Sequence, residues 1–330
     1  MISKNDFEME ACDDLELTLV CCTDQKFAMP LAVMLCSAAA NVSPPWRIRM
    51  CVIDGGMTSA TLEHLRKTVG RLGNARLEIF QADLNANDDL RIDGRLSRSC
   101  YLRLLIDIAL PADIEKVIYL DCDMIVESDL SQLWRQKFSG AIILAVRDFG
   151  YPTIKKGLPD TQRLLNLDGD APYFNSGLMV IDLKRWRKER ISDRALEYTR
   201  KFADTVHLGD QDGLNAVLCE QWKPIDLAWN VQVGSLNYLL TVPPWEDSEE
   251  LLVRGDELLA HPRILHFVSG HKPWHGGRYK PVRGRFIRYL HQSRWFGLLG
   301  IARFHVVWFV QTAQMAMARF FQNLSEAAKG

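Results

Sequence analysis

The sequence predicts an α/β protein built on a parallel, doubly wound sheet. Three observations carry that prediction. Short apolar runs end in turn residues, helix-like segments lie between them, and the 330 residues are 48% hydrophobic and 25% charged. Apolar strands alternating with helices belong to sheets covered on both faces. The composition excludes disordered, collagen-like and disulfide-stapled classes, and the length suits about two domains or one large domain with an appendage.

Leu15 to Cys22 (LELTLVCC) is a mostly apolar run ending at Thr23-Asp24, a strand followed by a turn. Phe27 to Ala40 is helix-like and stops before Ser43-Pro44-Pro45. Arg47 to Ile53 reads as a second strand, ended by Asp54-Gly55-Gly56. Thr58 caps a helix to about Arg71, and Arg76 to Phe80 makes a third strand. Ser97 to Ala109 is an amphipathic helix stopped by Pro111, and Lys116 to Leu120 is a fourth strand. Ligands of such sheets bind beyond the carboxyl ends of the strands. Chemistry is therefore sought in the residues just after each strand.

The eight cysteines form no CxxC and no zinc or disulfide spacing, and several sit in apolar runs as small hydrophobes. Residues 1–14 form an acid-rich tail without an apolar run, which excludes a secretory signal peptide and points to the reducing cytosol. The formal charge of −1 hides an asymmetry. Residues 278–330 carry nine Lys/Arg against Glu326, a charge of +8, which leaves −9 on the rest. The same stretch holds ten of the 31 aromatics, among them Trp295, Phe296, Phe304, Trp308 and Phe309. Its most apolar part, Trp295 to Val310, is broken by Arg303 and His305 and is too short for a span of roughly 20 residues. A basic amphipathic segment over 276–330, lying on an anionic membrane surface, fits better. Nucleic acid suits the charge but not the long aliphatic and aromatic runs. The plainer alternative is a C-terminal helix docked on the body or on another subunit.

Val117-Ile118-Tyr119-Leu120-Asp121-Cys122-Asp123 sets two carboxylates directly after a buried strand, on one face while the strand geometry lasts. Two hard oxygen donors there can share a divalent cation that bridges a diphosphate. An isolated pair is weak, because acids at strand ends also serve as caps and turn residues. Haloacid dehalogenase-like phosphatases use such a pair as nucleophile and general acid, with Gly209-Asp210-Gln211-Asp212 as the later acidic motif. Against that reading, three strand–helix units precede the pair, Met124-Ile125 stands where Gly-Thr is expected, and the later acids are too closely spaced.

Three more segments share the pattern of polar residues at element ends. They are Phe174-Asn175-Ser176-Gly177 leading a strand, Asp210-Gln211-Asp212-Gly213 opening a helix, and His266 to His275 after the short strand Arg263 to Leu265. Each alone has a structural explanation, such as a hydrogen-bonded core histidine, a helix cap or a solvated loop lysine. In this order with YLDCD they resemble the family 8 glycosyltransferases, the family of glycogenin and of bacterial lipooligosaccharide α-galactosyltransferases. The resemblance runs from about Leu15 to His275, and KPWH is its most specific element.

The resemblance implies the GT-A fold of nucleotide-diphospho-sugar transferases over residues 15–275, with a mixed, mostly parallel, doubly wound sheet and a C-terminal helical extension, and transfer with retained configuration. It makes Asp121, Asp123 and His266 the ligands of Mn2+, with Mg2+ as second choice, since the mixed oxygen and nitrogen set suits a borderline metal. Cys122 lies within that motif. Lys272, with His275 beside it, would sit on the phosphates of a UDP-sugar and stabilise the departing UDP. Thr23 and Asp24 match the uridine segment, although the usual small-Asp-x-Asn-Tyr pattern is altered to Cys22-Thr23-Asp24-Gln25-Lys26-Phe27. Arg103 matches a donor-binding arginine. Asn175, Asp148, Asp210 and Gln211 match residues around the donor sugar, the last three as catalytic candidates. Gln211 aligns with the nucleophile that double displacement would need, yet a neutral amide is a poor one, which favours front-face attack. The expected acceptor is a glycan or glycolipid in cell-surface polysaccharide or lipopolysaccharide synthesis, at the inner face of the membrane. A catalytically silent sugar-nucleotide-binding protein is the non-enzymatic alternative.

Overall fold

The computed structural model describes residues 15–82, 98–239, 249–268, 270, 272–276 and 280–327. The expected tail 1–14, Ser97, His271 and Arg278 lie outside them.

The first half of the chain alternates as its apolar runs dictate. It forms β1 (Glu16–Thr23), α1 (Ala28–Ala40), β2 (Arg47–Asp54), α2 (Ser59–Val69) and β3 (Ala75–Gln81). Thr58 caps α2 by accepting from the Thr61 backbone N–H, as the sequence indicates. A 3-10 segment Arg98–Leu105 then runs into a single helical turn, α3 (Ile106–Ala109), where the pattern predicts one α-helix. The tighter winding stacks residues three apart, so Cys100 and Arg103 face the same cavities.

The chain continues through β4 (Lys116–Leu120), β5 (Met124–Val126), α4 (Leu130–Trp134), β6 (Ile143–Arg147), α5 (Ile154–Gly157) and β7 (Phe174–Asp182). After these come α6 (Leu183–Lys188), α7 (Ile191–Lys201), α8 (Asp210–Leu218) and β8 (Trp222–Pro224). Among the described residues the strands form a seven-stranded sheet of order β3-β2-β1-β4-β7-β6-β8. It is parallel except for β7, which runs antiparallel to β4 and β6. That reversal brings the start of β7 to the carboxyl ends of β1, β4 and β6, where the candidate residues of all four strands meet.

A second, three-stranded sheet completes that edge. It consists of β5, β9 (Val231–Gln232) and β10 (Ile264–His266), with β10 central. Between β9 and β10 lie α9 (Val233–Leu239) and α10 (Glu249–Ala260). The chain ends in α11 (Lys280–Ser293) and α12 (Leu298–Ala327). Leu19, Met50, Ile118, Leu178 and Val180 share one buried core with Ile125 and Leu265 of the small sheet. Val282, Phe286, Tyr289 and Leu290 of α11 enter that same core, so the start of the basic extension is fused to the body.

Candidate active site

Asp121 and Asp123 leave β4 in a turn, and their carboxylates are oriented by different neighbours. Asp121 Oδ1 accepts from the Tyr119 hydroxyl (2.9 Å) and lies 3.0 Å from Arg103 Nη2. Its Oδ2 is turned toward His266 Nε2, 3.7 Å away. Asp123 Oδ2 is taken by the Lys272 ammonium, while Oδ1 lies 3.4 Å from His266 Nε2. Burial opposes ionisation of Asp123, but the charge on Lys272 acts against it, and the carboxyl is held well below the usual range.

His266 reaches this place through the small sheet. It pairs with Met124 across antiparallel β5, and the Phe267 N–H donates to the Asp123 carbonyl (3.0 Å). Asp121, Asp123 and His266 each offer a ligand atom, all within 4.8 Å of one another. Lys272 also donates to the Phe267 carbonyl (2.6 Å), which fixes its ammonium beside the pair.

The wall opposite is made by the start of β7. The Asp121 N–H donates to the Gly177 carbonyl (2.9 Å), so β4 and β7 are still paired there. Across β6, however, the register passes from Ala145↔Met179 to Val146↔Asn175, leaving residues 176–178 unmatched. Such a bulge re-aims side chains. Here it presses Gly177 against the cluster. A Cβ at position 177 would stand 2.3 Å from His266 Cε1 and 2.8 Å from Asp121 Oδ2.

Behind this wall the polar residues form a buried network. Asn175 Nδ2 and Gln211 Nε2 both donate to Asp148 Oδ2, at 2.9 and 3.1 Å. Asp148 Oδ1 accepts from the backbone of Gly150 and Tyr151. Gln211 Oε1 accepts from the Ser176 N–H and hydroxyl, at 2.9 and 3.2 Å. Arg103 Nη1 donates to Ser176 Oγ and to its carbonyl, both at 2.9 Å. Gln211 and Asp210 stand in the first turn of α8, entered through Gly209 with φ 63° and ψ −119°, a conformation that favours glycine. Asp210 Oδ2 is 2.7 Å from Arg103 Nε. Burial, with Asp121 nearby, pushes the Asp210 carboxyl up to about 7 against the pull of Arg103. Burial works against the Arg103 charge, but Asp121 and Asp210 prevail and raise its guanidinium well above the ordinary value. Asp212, the other acid of that turn, accepts from Tyr173 Oη and from the N–H groups of His207 and Leu208. It closes a loop.

Two cavities open onto these groups. The larger, about 590 Å3, is lined by Arg103, Asp121, Asp123, Asn175, Asp210, Gln211, His266 and Lys272, with Tyr151, Lys156 and His207 farther out. The smaller, about 170 Å3, shares Cys100, Arg103, Asp121 and Asp123 with it and adds Thr23, Asp24, Phe27, Tyr119 and Cys122. Asp24 Oδ1 accepts from the N–H groups of Lys26 and Phe27 and shapes the turn after β1. Burial pushes the Cys122 thiol well up, and its Sγ donates to the Cys22 carbonyl (3.1 Å), so no thiolate is offered to a metal there.

The structure thus gathers Thr23, Asp24, Arg103, Asp121, Cys122, Asp123, Asn175, Asp210, Gln211, His266 and Lys272 around joined cavities. Asp148 stands behind them, holding Asn175 and Gln211. His275 is elsewhere. Trp274 packs against Phe27 and Phe286, with ring centroids 6.0 and 5.3 Å away. His275 lines a separate hollow with Gln311 and Met315 of α12. Sequence reasoning missed Gly177, Ser176, Tyr119 and Asn230 as site residues. A glycine inside an apolar strand and an asparagine inside Leu227-Ala228-Trp229-Asn230-Val231 were the available signals.

The sequence matches the family described as Glycosyl transferase family 8 over residues 18–277. It is 30% identical to General stress protein A of Bacillus subtilis (strain 168) over 283 residues, 84% of this chain and 94% of that protein. Against the Lipopolysaccharide 1,2-glucosyltransferase of Escherichia coli (strain K12) it is 26% identical over 179 residues, 54% of this chain and 50% of the other. The fold is similar to that of galactosyltransferase LgtC, solved with donor and acceptor sugar analogs. The TM-score there is 0.67 at 22% identity, covering 84% of this chain and 95% of that one. The sheet order, the antiparallel β7 and the acids after β4 are a GT-A arrangement, and with the family match they leave the phosphatase reading without support. The chain is a glycosyltransferase, and it belongs to glycosyl transferase family 8, a family of retaining hexosyltransferases.

Proposed function

We propose that this enzyme transfers a hexose, glucose or galactose, from a UDP-sugar to a glycan or glycolipid acceptor of the cell surface. The observation that carries the reading is the convergence of Asp121 Oδ2, Asp123 Oδ1 and His266 Nε2 in the larger cavity, with both acids also lining the smaller one. The smaller cavity suits the nucleoside and the larger one the sugar and acceptor. The three residues fit a divalent cation. Two carboxylates and an imidazole are turned toward one another, and only glycine is tolerated beside them. The oxygen and nitrogen set favours Mn2+ over Mg2+. When bound, the cation neutralises charge on the diphosphate. Lys272 adds a point charge there, and Arg103 joins Asp121 to Asp210 so that the cleft keeps its shape.

The geometry favours front-face transfer. Gln211 Oε1 accepts from both the N–H and the hydroxyl of Ser176, so both lone pairs of its carbonyl are engaged and none is offered to an anomeric carbon. Its amide can direct one N–H to Asp148 and the other to the donor. In the proposed step the acceptor hydroxyl oxygen bonds to the anomeric carbon as the bond to UDP breaks. The hydroxyl proton passes to the departing phosphate oxygen. Gln211→Glu would set a carboxylate oxygen against Asp148 Oδ2, and kcat is expected to fall on the order of 10²-fold. A glycosyl adduct on residue 211, seen by mass spectrometry of the intact protein, would contradict the front-face step.

The test of the function is UDP release with Mn2+ from UDP-glucose, UDP-galactose, UDP-glucuronate and UDP-galacturonate. Release from one of the first two, abolished by EDTA, is expected. Release from none of them across a range of glycan acceptors, with UDP still bound, would favour a silent binding protein.

We further propose a catalytic unit over 15–275 and a basic appendage over 276–330 that rests on an anionic membrane surface at the cytoplasmic face. Among the described residues, no helix is long and apolar enough to cross a membrane. One side of α12 packs on the body and on α11, where Ile301 and Phe304 lie against the core and Arg283 stands 3.9 Å from the Trp308 ring centroid. The other side exposes Leu299 (87%), Val306, Phe309 (69%), Val310 and Met317. Replacing Val306, Phe309 and Val310 with serine is expected to weaken partition onto phosphatidylglycerol vesicles by roughly 10²-fold, with donor hydrolysis unchanged. Equal flotation of variant and wild type would count against the membrane contact.

A further inference from the structure

The cluster of Asp121, Asp123 and His266 serves as a ligand set only if the imidazole presents an unprotonated nitrogen to it. Nothing in those three residues decides which nitrogen carries the proton. That decision can be traced to a backbone group. The Gly177 N–H, which can only donate, is 3.1 Å from Asn175 Oδ1. This fixes the Asn175 amide with its oxygen toward Gly177, and its Nδ2 accordingly donates to the Asp148 carboxylate (2.9 Å). Asn230 also meets Asn175 Oδ1, at 2.9 Å, so Asn230 must present Nδ2 there. Its own oxygen is then the atom 3.0 Å from His266 Nδ1. An oxygen acceptor at that place requires a proton on Nδ1. The lone pair of Nε2 is left facing the two carboxylates.

We propose that Asn230 is a positioning residue that holds His266 in the Nδ1–H tautomer and so makes its Nε2 a metal ligand. The inference rests on the metal-site reading above and adds a residue that touches neither cavity. Asn230 is fully buried, at the end of the 3-10 turn Leu227–Asn230 that leads into β9. Strand β9 runs parallel to β10, with Gln232 beside His266, so the pairing of these two short strands sets the contact. A lone pair turned toward two carboxylates is unfavourable until a cation stands among them, which is the condition for a site that waits for its metal.

The test is long-range proton–nitrogen NMR of metal-free protein labelled with 15N-histidine, at about pH 9 where imidazoles are neutral. The His266 signals are assigned by their loss in His266→Gln. Wild type is expected to show Nδ1–H. Asn230→Leu is expected to move His266 toward Nε2–H, the form that free imidazole side chains prefer. Its Mn2+ affinity, read from the electron paramagnetic resonance of unbound Mn2+, is expected to fall about 10- to 100-fold. Asn230→Asp keeps an oxygen acceptor and should restore the tautomer and most of that loss. An Nε2–H signal in wild type overturns the proposal without any variant, as does unchanged Mn2+ affinity in a folded Asn230→Leu protein. Wild type that shows Nδ1–H but binds no Mn2+ would remove the metal reading and leave the hydrogen-bond relay standing.

Discussion

Asp123→Asn is expected to lower kcat for UDP-sugar turnover on the order of 10³-fold, because in the proposed metal site it would remove one carboxylate from the cation that stabilises the leaving diphosphate. The variant should also be less stable. Lys272 would keep its charge in a partly buried place with neutral acceptors, the Phe267 carbonyl among them, in place of the carboxylate. Breaking such a pair from one side costs up to about 3 kcal/mol. The pH dependence follows from the sign of the shift. The Asp123 carboxyl is held below its unfolded value. Its contribution is complete above that value, about 4, and fades as the pH falls through the lower folded one. Thermal melts in EDTA should therefore show the full gap between wild type and variant at neutral pH, closing only in acid. A gap that grows in acid would contradict the assigned charge state.

Gly177→Ala is expected to be nearly as damaging, although it adds a single methyl group. The added carbon would meet His266 Cε1, Asp121 Oδ2 and Asn175 Oδ1 at 2.3, 2.8 and 3.0 Å. None of these can retreat at little cost. His266 is held by Asn230, Asp121 by Tyr119 and Arg103, and Asn175 by Asp148 and Asn230. Overpacking of this kind costs about 1–3 kcal/mol in stability. Displacing a ligand atom by about 1 Å lowers turnover on the order of 10²-fold. Steady-state UDP release and Mn2+ titration check it. Turnover within about threefold of wild type would show that the wall at β7 is softer than the distances imply.

The residues that carry formal charge or terminate an apolar strand were legible in the sequence. Asp121 and Asp123 announce themselves after YL, and His266 and Lys272 follow the last short strand. Arg103 and Gln211 joined them only through the family resemblance, since neither residue is marked out by its own position in the pattern. What the sequence could not reveal depends on close approach in space. Gly177 looks like any small residue in an apolar run until the bulge in β7 brings it against an imidazole. Asn230 reads as an ordinary polar interruption because its partners are 36 and 55 residues away. His275 looked equivalent to Lys272 in sequence. Trp274, anchored on Phe27 and Phe286, turns it toward α12 instead. Arg103 was placed on an α-helix from its apolar pattern, since a 3-10 segment and an α-helix present similar patterns over two turns.

In the proposed function Asp121, Asp123 and His266 together hold the cation on which a nucleotide diphosphate leaves. Anomalous diffraction at the manganese edge, from crystals grown with MnCl2 and UDP, tests it most directly. One strong peak is expected, bounded by Asp121 Oδ2, Asp123 Oδ1 and His266 Nε2, with the diphosphate on its open side and the uracil in the cavity beside Thr23 and Asp24. A well-ordered UDP with no peak among those three residues, or with manganese held elsewhere, would contradict it.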